Sequence, residues 1–471
     1  MTDETTGAAG EAGGIAPDAL RDETGHVSAR WLDGLRDALR AGDIERLSAL
    51  MEPLHSADAG DVIEALEQDE RLALVTLLGD AFDYSALTEV DDAVRADLIE
   101  AIPNADIARG VAELDSDDAV FILEDIEPGD REEILNQLPA FERLSLKRSL
   151  DYPEDSAGRR MQTDFIAIPP FWTVGQTIDY LRADKDLPDE FYQIYVVDPG
   201  YRLLGTLSLD KFLRSKRDIR IADIMNADPL TVPAASDQEE AARTFERYDL
   251  VEVGVVDDAV RLVGVLTIDD IVDVIQEEAT EDIQRMAGVG DEEISDSVFG
   301  ALKSRLVWLC VNLVTAILAS LVIGLFNATI EQMVALAALM PIVASMGGNA
   351  ATQTMTVTVR ALAMHELDRR KVMRLISREM IVGVVNGAVF AVLIGIVTTL
   401  RYGNPGLGAV IAMAMIINMF VAGSAGVLIP LLLNRLKADP AVASGTFVTT
   451  LTDVIGFFAF LSIAGLWFDL F

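Results

Sequence analysis

Cysteine and histidine are almost missing from this chain. One cysteine, Cys310, falls in an apolar segment, and three histidines (His26, His55 and His365) are scattered. A disulfide framework and a metal centre of sulfur or imidazole are thereby excluded. Lysine is scarce too, with 7 residues against 30 arginines, and the formal net charge is −39. Nucleic acid and anionic lipid surfaces are repelled by such a chain, and neither is an expected partner. The opening "MTDETTGAAGEAGG" has no basic, apolar leader, and residues 1–27 are expected to be a disordered lead-in. No nucleophile–base set and no phosphate-cradling loop occurs, so an enzyme is not expected.

What is present divides the chain in two. Residues 301–471 hold 11 Lys+Arg against 7 Asp+Glu, whereas residues 1–300 hold 26 against 69. An acidic aqueous half is therefore joined to an apolar, slightly basic half, as in a membrane protein with a large soluble domain. Most of the acids, set beside so many arginines, read as the solvated surface of a salt-adapted protein.

Within 28–150 one phrase recurs: "VIEALEQ", "LIEAIP", "ILEDIEP" and "ILNQLP". Apolar residues at i, i+3 and i+4 ended by an acidic or proline turn predict short helices that stack into a superhelix. Two later stretches, "FYQIYVVDPGYRLLGTLSLDKF" (191–212) and "DLVEVGVVDDAVRLVGVLTIDDI" (249–271), are versions of one β-α-β-β-α phrase, which resembles a pair of CBS modules. These are expected over 151–222 and 223–276, followed by a connecting helix over 277–304. Five apolar segments follow, at 306–326, 333–359, 379–400, 406–434 and 441–468, each long enough to cross a ~30 Å hydrocarbon core. Arg360, Arg369, Arg370, Lys371, Arg374 and Arg378 crowd the loop after the second segment. Basic loops stay inside, so the acidic half is expected in the cytoplasm and the C-terminus outside.

Asp453 stands alone in the middle of the fifth segment, in "TTLTDVIGFFAFL". A carboxylate at that depth costs a few kcal/mol (about 3) and belongs on a bundle interior or an aqueous path. No Lys or Arg lies within the five segments, so either a proton or a bound cation must neutralise it. The plain alternative is a protonated Asp bonded between helices. Thr449, Thr450, Thr452, Gly445 and Gly456 surround it, and the second segment carries "PIVASMGGNAATQ" (341–353), where Pro341 and Gly347-Gly348 are expected to break or kink the helix. "NMFVAGSAGVLIP" (418–430) is rich in small residues, which close helix packing explains equally. Carbonyls, amides, hydroxyls and a single carboxylate suit a hard cation such as Mg²⁺, which keeps most of its waters. Spacing alone does not separate Mg²⁺ from Ca²⁺ or Mn²⁺.

On "PIVASMGGNAATQ", "LTIDDIVDVIQEEATEDI" (266–283) and "DPAVASGTFVTTLTDVIG" (439–456), the chain resembles the MgtE family of magnesium channels. The resemblance implies a multidomain membrane protein: a cytosolic α-superhelix, tandem α+β CBS modules, a connecting helix and an all-α pore domain of five transmembrane helices over 305–471. It implies a homodimer in the cell membrane with the pore between subunits, Asp453 holding the hydrated ion, and Gly347, Gly348, Asn349, Thr450 and Gly456 lining the path. It further implies closure by internal Mg²⁺, with sensor carboxylates at Asp237, Glu239, Asp249, Asp270, Asp273, Glu278, Glu281, Asp282 and Asp439. Asp117 is a weaker candidate on the superhelix.

The chain departs from the family pattern at three places. Ala351 replaces a glycine of the second-segment phrase; Ser85 and Phe121 stand where superhelix acids occur; and Lys211 stands where a ribose-binding Asp is expected, although Thr267 and Asp270 keep the equivalent pair in the second module. ATP is thus a candidate ligand through Thr267 and Asp270 only. Two other readings of the residues stay open: a proton- or sodium-coupled divalent cation exchanger, and a membrane-anchored CBS sensor that transports nothing.

Overall fold

The computed structural model describes residues 20–183, 187–188, 190–289, 298–363, 367 and 369–470. They fall into two compact units, one ending at Glu277 and one starting at Glu278.

Among the described residues the first unit opens with the helices α1 (Ala29–Ala41), α2 (Ile44–Met51), α3 (Ser56–Glu64), α4 (Gln68–Leu78), α5 (Asp92–Ala101), α6 (Asn104–Val111), α7 (Ser116–Glu124), α8 (Pro128–Gln137) and α9 (Ala140–Leu150). The recurring phrase proves to be the corner between successive helices. Its last apolar residue, Leu66, Ile102, Ile126 or Leu138, is buried just past a helix end and closes the core at the turn. Stacking is needed because none of these short helices can bury its apolar stripe alone. Part of the expected lead-in is folded. Leu20 joins the superhelix core, Arg21 bridges Val27, and its guanidinium holds Asp58 and Asp61. The rest of that lead-in, residues 1–19, lies outside the described residues.

Both expected β-α-β-β-α modules form. After α10 (Ala157–Arg160) come β1 (Ala167–Ile168), α11 (Val174–Ala183), β2 (Gln193–Val197), β3 (Leu203–Ser208) and α12 (Leu209–Leu213). The second copy consists of α13 (Ile221–Ile224), β4 (Thr231–Pro233), α14 (Gln238–Tyr248), β5 (Glu252–Val256), β6 (Leu262–Thr267) and α15 (Ile268–Ala287). Each sheet has the order first-second-third, with a parallel pair and then an antiparallel hairpin. Even the register shift repeats, at Val196/Val197 and at Val255/Val256. The boundary expected at 276/277 falls inside α15, because the apolar period begun at Ile268 has no breaker there.

The second unit contains α16 (Val298–Gly324), the short α17 (Asn327–Gln332), α18 (Ala335–Ala363), α19 (Arg369–Tyr402), α20 (Pro405–Arg435) and α21 (Pro440–Phe468). Five of these helices are long and apolar enough to cross a membrane, as expected. α20 is the most enclosed and α16 the least. Val343 of α18, Ile411 and Ala414 of α20, and Phe460 and Ala464 of α21 form the centre of this core. α18 corrects one expectation: it runs unbroken through Pro341 and Gly347-Gly348. Pro341, in the second turn, forgoes one backbone bond without ending the helix, and Gly347 packs on Asn418 while a Cβ at Gly348 would meet nothing closer than 3.8 Å.

Candidate ion pathway and acidic face

α21 starts at Asp439, whose Oδ1 accepts the Ala441 N–H at 2.7 Å, with Pro440 in the first helical position. That start sets the phase of the helix. Thr449, Asp453 and Gly456 then share one face, at spacings of four and three residues. Asp453 is half-buried and lines a cavity of about 460 Å³ together with Thr449, Thr450, Thr352, Asn312 and Arg285. Among the described residues no ion pair or hydrogen bond satisfies its carboxylate. The threonine hydroxyls donate back to their own helix, Thr449 to Gly445 O at 2.9 Å and Thr450 to Thr446 O at 2.6 Å. Their oxygens remain available as acceptors beside Asp453. The wall carries one carboxylate, several neutral oxygens and the Arg285 guanidinium, whose charge is taken up by Glu281 and Asp439; the oxygens form a donor set for a hard, hydrated cation.

The expected lining residues do not all share that cavity. Thr450 lines it, and Gly348 abuts it, since a Cβ there would lie 3.8 Å from Thr449 Cγ2. Asn349 is exposed on another face of α18. Gly347 and Gly456 are buried, and both press on Asn418 of α20. Within the chain both therefore pack against α20, a contact between separate segments. Close backbone approach occurs at Ala351 because Gly426 of α20 has no side chain; a Cβ at Gly426 would come within 2.7 Å of Ala351 O.

In the first unit, acids of α7 face those that open α15. Burial, then the charges of Asp270, Asp118 and Asp115, pushes Asp117 well above the carboxylate range. Burial, followed by Asp270, lifts Asp118 to about 7. Asp270 is lifted to about 6 mainly by burial, against the pull of the Thr267 hydroxyl that donates to it at 2.6 Å. Asp273 and Glu89 are raised mainly by burial, and Asp273 adds to the charge felt at Glu89. Asp118 and Glu89 were not singled out from sequence; only the fold brings them opposite α15. Among the described residues no group of three or more His, Cys, Asp or Glu is arranged to hold a metal ion. The acids are near one another without forming a closed chelate.

The other expected sensor acids are dispersed. Asp237 caps α14 by accepting the Glu239 N–H at 2.9 Å, Glu239 pairs with Arg243 at 2.6 Å, and Asp249 ends α14 with φ +50°. Arg285 joins Glu281 to Asp439, while Glu278 and Asp282 are partly exposed on α15. Thr267 and Asp270 bond to each other at the start of α15. Lys211 and Asp249 line a different cavity of about 500 Å³ between Tyr192 and Asn226. Phe121, where an acid was the family expectation, lies under two cations: Arg95 Cζ at 4.3 Å and Arg160 Cζ at 5.6 Å from the ring centre.

Comparison with known proteins decides the family. A divalent cation transporter model, MgtE, matches residues 340–463, the MgtE intracellular N domain matches 54–155, and a CBS domain matches 221–277. The magnesium transporter MgtE of Thermus thermophilus is 32% identical over 438 residues, 92% of this chain and 97% of the relative. This chain belongs to the MgtE family. The MgtE of Bacillus subtilis is 30% identical over 427 residues, and that of Enterococcus faecalis 37% over 321. The soluble part of a magnesium transporter aligns with 53% of this chain at 28% identity and a TM-score of 0.49. The cytosolic domain of the Mg²⁺ channel MgtE in complex with ATP aligns with 52% at 30% identity and a TM-score of 0.48. As an MgtE protein, the chain carries both soluble modules and the membrane domain of its family, and its relatives are transporters.

Proposed function

We propose that this protein is a homodimeric Mg²⁺ channel of the cell membrane, with cytoplasmic N-terminal domains and an outside C-terminus, closed by Mg²⁺ bound on its cytosolic side. The observation that carries this reading is the cavity in which Asp453 stands beside neutral oxygens, while the one guanidinium on the described wall, Arg285, is paired with Glu281 and Asp439 instead. Membership of a magnesium transporter family supplies the ion. Mg²⁺ releases its inner waters reluctantly, so one carboxylate per subunit that holds the hydrated ion suits passage better than a tight cage.

Closure follows from charge. Asp117, Asp118, Asp270 and Asp273 either hold protons or repel one another while no cation is near, and a divalent ion between them favours the compact state by binding it better than the open one. In this reading Asp117, Asp270 and Asp273 are the acids most directly engaged. Asp237, Glu239, Asp249, Glu278, Glu281, Asp282 and Asp439 act through second contacts or helix ends. ATP is a further candidate ligand of the CBS modules.

The test is Mg²⁺ uptake into proteoliposomes by the wild type and Asp453→Asn, at low and at high internal Mg²⁺. Loss of uptake in the variant and closure of the wild type at high internal Mg²⁺ are expected. Equal uptake by both proteins would refute the pore role of Asp453. Uptake that tracks a pH or sodium gradient at fixed voltage would point to an exchanger instead.

A further inference from the structure

Asn418 is the one amide in a stripe of apolar and small residues along α20, following Ile411 and Ala414 and preceding Ala422 and Ala425. Its side chain has no solvent exposure. Nδ2 donates to Val343 O of α18 at 2.7 Å, while Oδ1 is buried with no hydrogen-bond partner. The amide is held between two glycines of two other helices. A Cβ at Gly347 of α18 would fall 2.2 Å from Nδ2, and a Cβ at Gly456 of α21 would fall 2.9 Å from both Cγ and Oδ1. Three helices therefore meet on one side chain, and none can move past it without a clash or a lost bond.

The location matters because of what lies one turn away. Gly456 follows Asp453 by three residues on α21, and Gly347 adjoins Gly348, where a Cβ would come to 3.8 Å from Thr449 Cγ2 on the turn before Asp453. The turn that carries Asp453 is thus held from the following turn by Gly456 against Asn418. An apolar residue of similar volume would fill the space without leaving a buried carbonyl unpaired, which ordinarily costs stability. Retaining an amide there fixes the height of α18 against α20 through the bond to Val343 O, which a leucine could not do.

We propose that Asn418 is a positioning residue for ion selection: it sets the distance of the Asp453 carboxylate from the α18 wall and so the size of hydrated ion that fits. This rests on the reading of Asp453 as the pore carboxylate. A role limited to holding the bundle together would change the amount of working protein and scale the uptake of every ion alike. A positioning role changes the ratio between ions.

The experiment compares Mg²⁺ and Ca²⁺ uptake by full-length wild type, Asn418→Ala, Gly456→Ala and Asp453→Asn in proteoliposomes, after each is checked for helical content and a single size in detergent. Asn418→Ala is expected to lower the Mg²⁺-over-Ca²⁺ preference by about fivefold, the ratio equivalent to the ~1 kcal/mol of one interhelical hydrogen bond. Gly456→Ala, which pushes the amide without removing it, is expected to shift the same ratio. It stands as the deciding variant if Asn418→Ala does not fold. A wild-type ratio in the folded variants, whatever their total uptake, overturns the proposal. Asp453→Asn separates the two ideas: wild-type uptake in that variant removes the pore reading, whereas an inactive Asp453→Asn beside an unshifted ratio removes only the role of Asn418.

Discussion

Arg285, in the last turn of α15, donates from Nη1 to Asp439 Oδ2 at 3.0 Å and also pairs with Glu281. Asp439 is the cap of the helix that carries Asp453. The Arg285 guanidinium thus bridges two carboxylates at this place. Replacing it by Arg285→Gln leaves two like charges unbridged. The internal Mg²⁺ concentration needed for half-closure is expected to rise by about threefold, a shift of ~0.7 kcal/mol for a pair that is still about a third exposed. Uptake measured against internal Mg²⁺ checks this, and an unchanged midpoint would mean the pair plays no part in closure.

Phe121 makes an interaction that needs no metal. Its ring lies beneath Arg95, which is buried and bonded to Asp125 at 2.6 Å, and beneath Arg160, which bonds Glu277 at 2.6 Å. Phe121→Ala is expected to cost ~1–2 kcal/mol, since two cations lose their aromatic face. The loss should show as faster proteolysis between superhelix and CBS modules in EDTA. Cleavage at the wild-type rate would show that the arginines are held by their carboxylates alone.

The acids between α7 and α15 give a pH dependence with a definite sign. Asp118 at about 7 and Asp270 at about 6, with Asp117 also raised, hold protons in the native state that the unfolded chain has already released. Stability contributed there is present at low pH and is lost as pH rises through about 6 to 7, the folded values. Without divalent ions, resistance of this unit to proteolysis is expected to increase from about pH 8 down to about pH 6. Added Mg²⁺ should flatten the profile by taking the protons' place. A metal-free profile that falls toward acid pH would contradict this account.

Gly110 and Gly129 predict opposite outcomes for the same substitution. A Cβ at Gly110 would sit 2.2 Å from Cγ of the buried Tyr84 ring, whereas nothing lies within 4 Å of one at Gly129. Gly110→Ala is expected to cost ~1–3 kcal/mol by overpacking. Gly129→Ala should be neutral or gain up to ~1 kcal/mol, since α8 loses a flexible residue. Thermal unfolding of the full-length variants, followed by circular dichroism, distinguishes the two.

Local patterns carried the architecture. Corner phrases marked the superhelix, the duplicated strand–turn–strand runs marked the CBS pair, and the length of five apolar runs marked the membrane helices, because period and length are properties of contiguous residues. Asp453 was legible for a similar reason: a single carboxylate in an apolar run is costly wherever the helix goes. Contacts between helices were not legible. Gly347 and Gly456 both meet Asn418, and two arginines lie over Phe121, through contacts between segments far apart in the chain. Asp118 and Glu89 gained significance only opposite α15. Sequence fixes which residues are polar, small or charged; which of them meet depends on helix phase and on packing between segments far apart in the chain, and tertiary structure alone decides that.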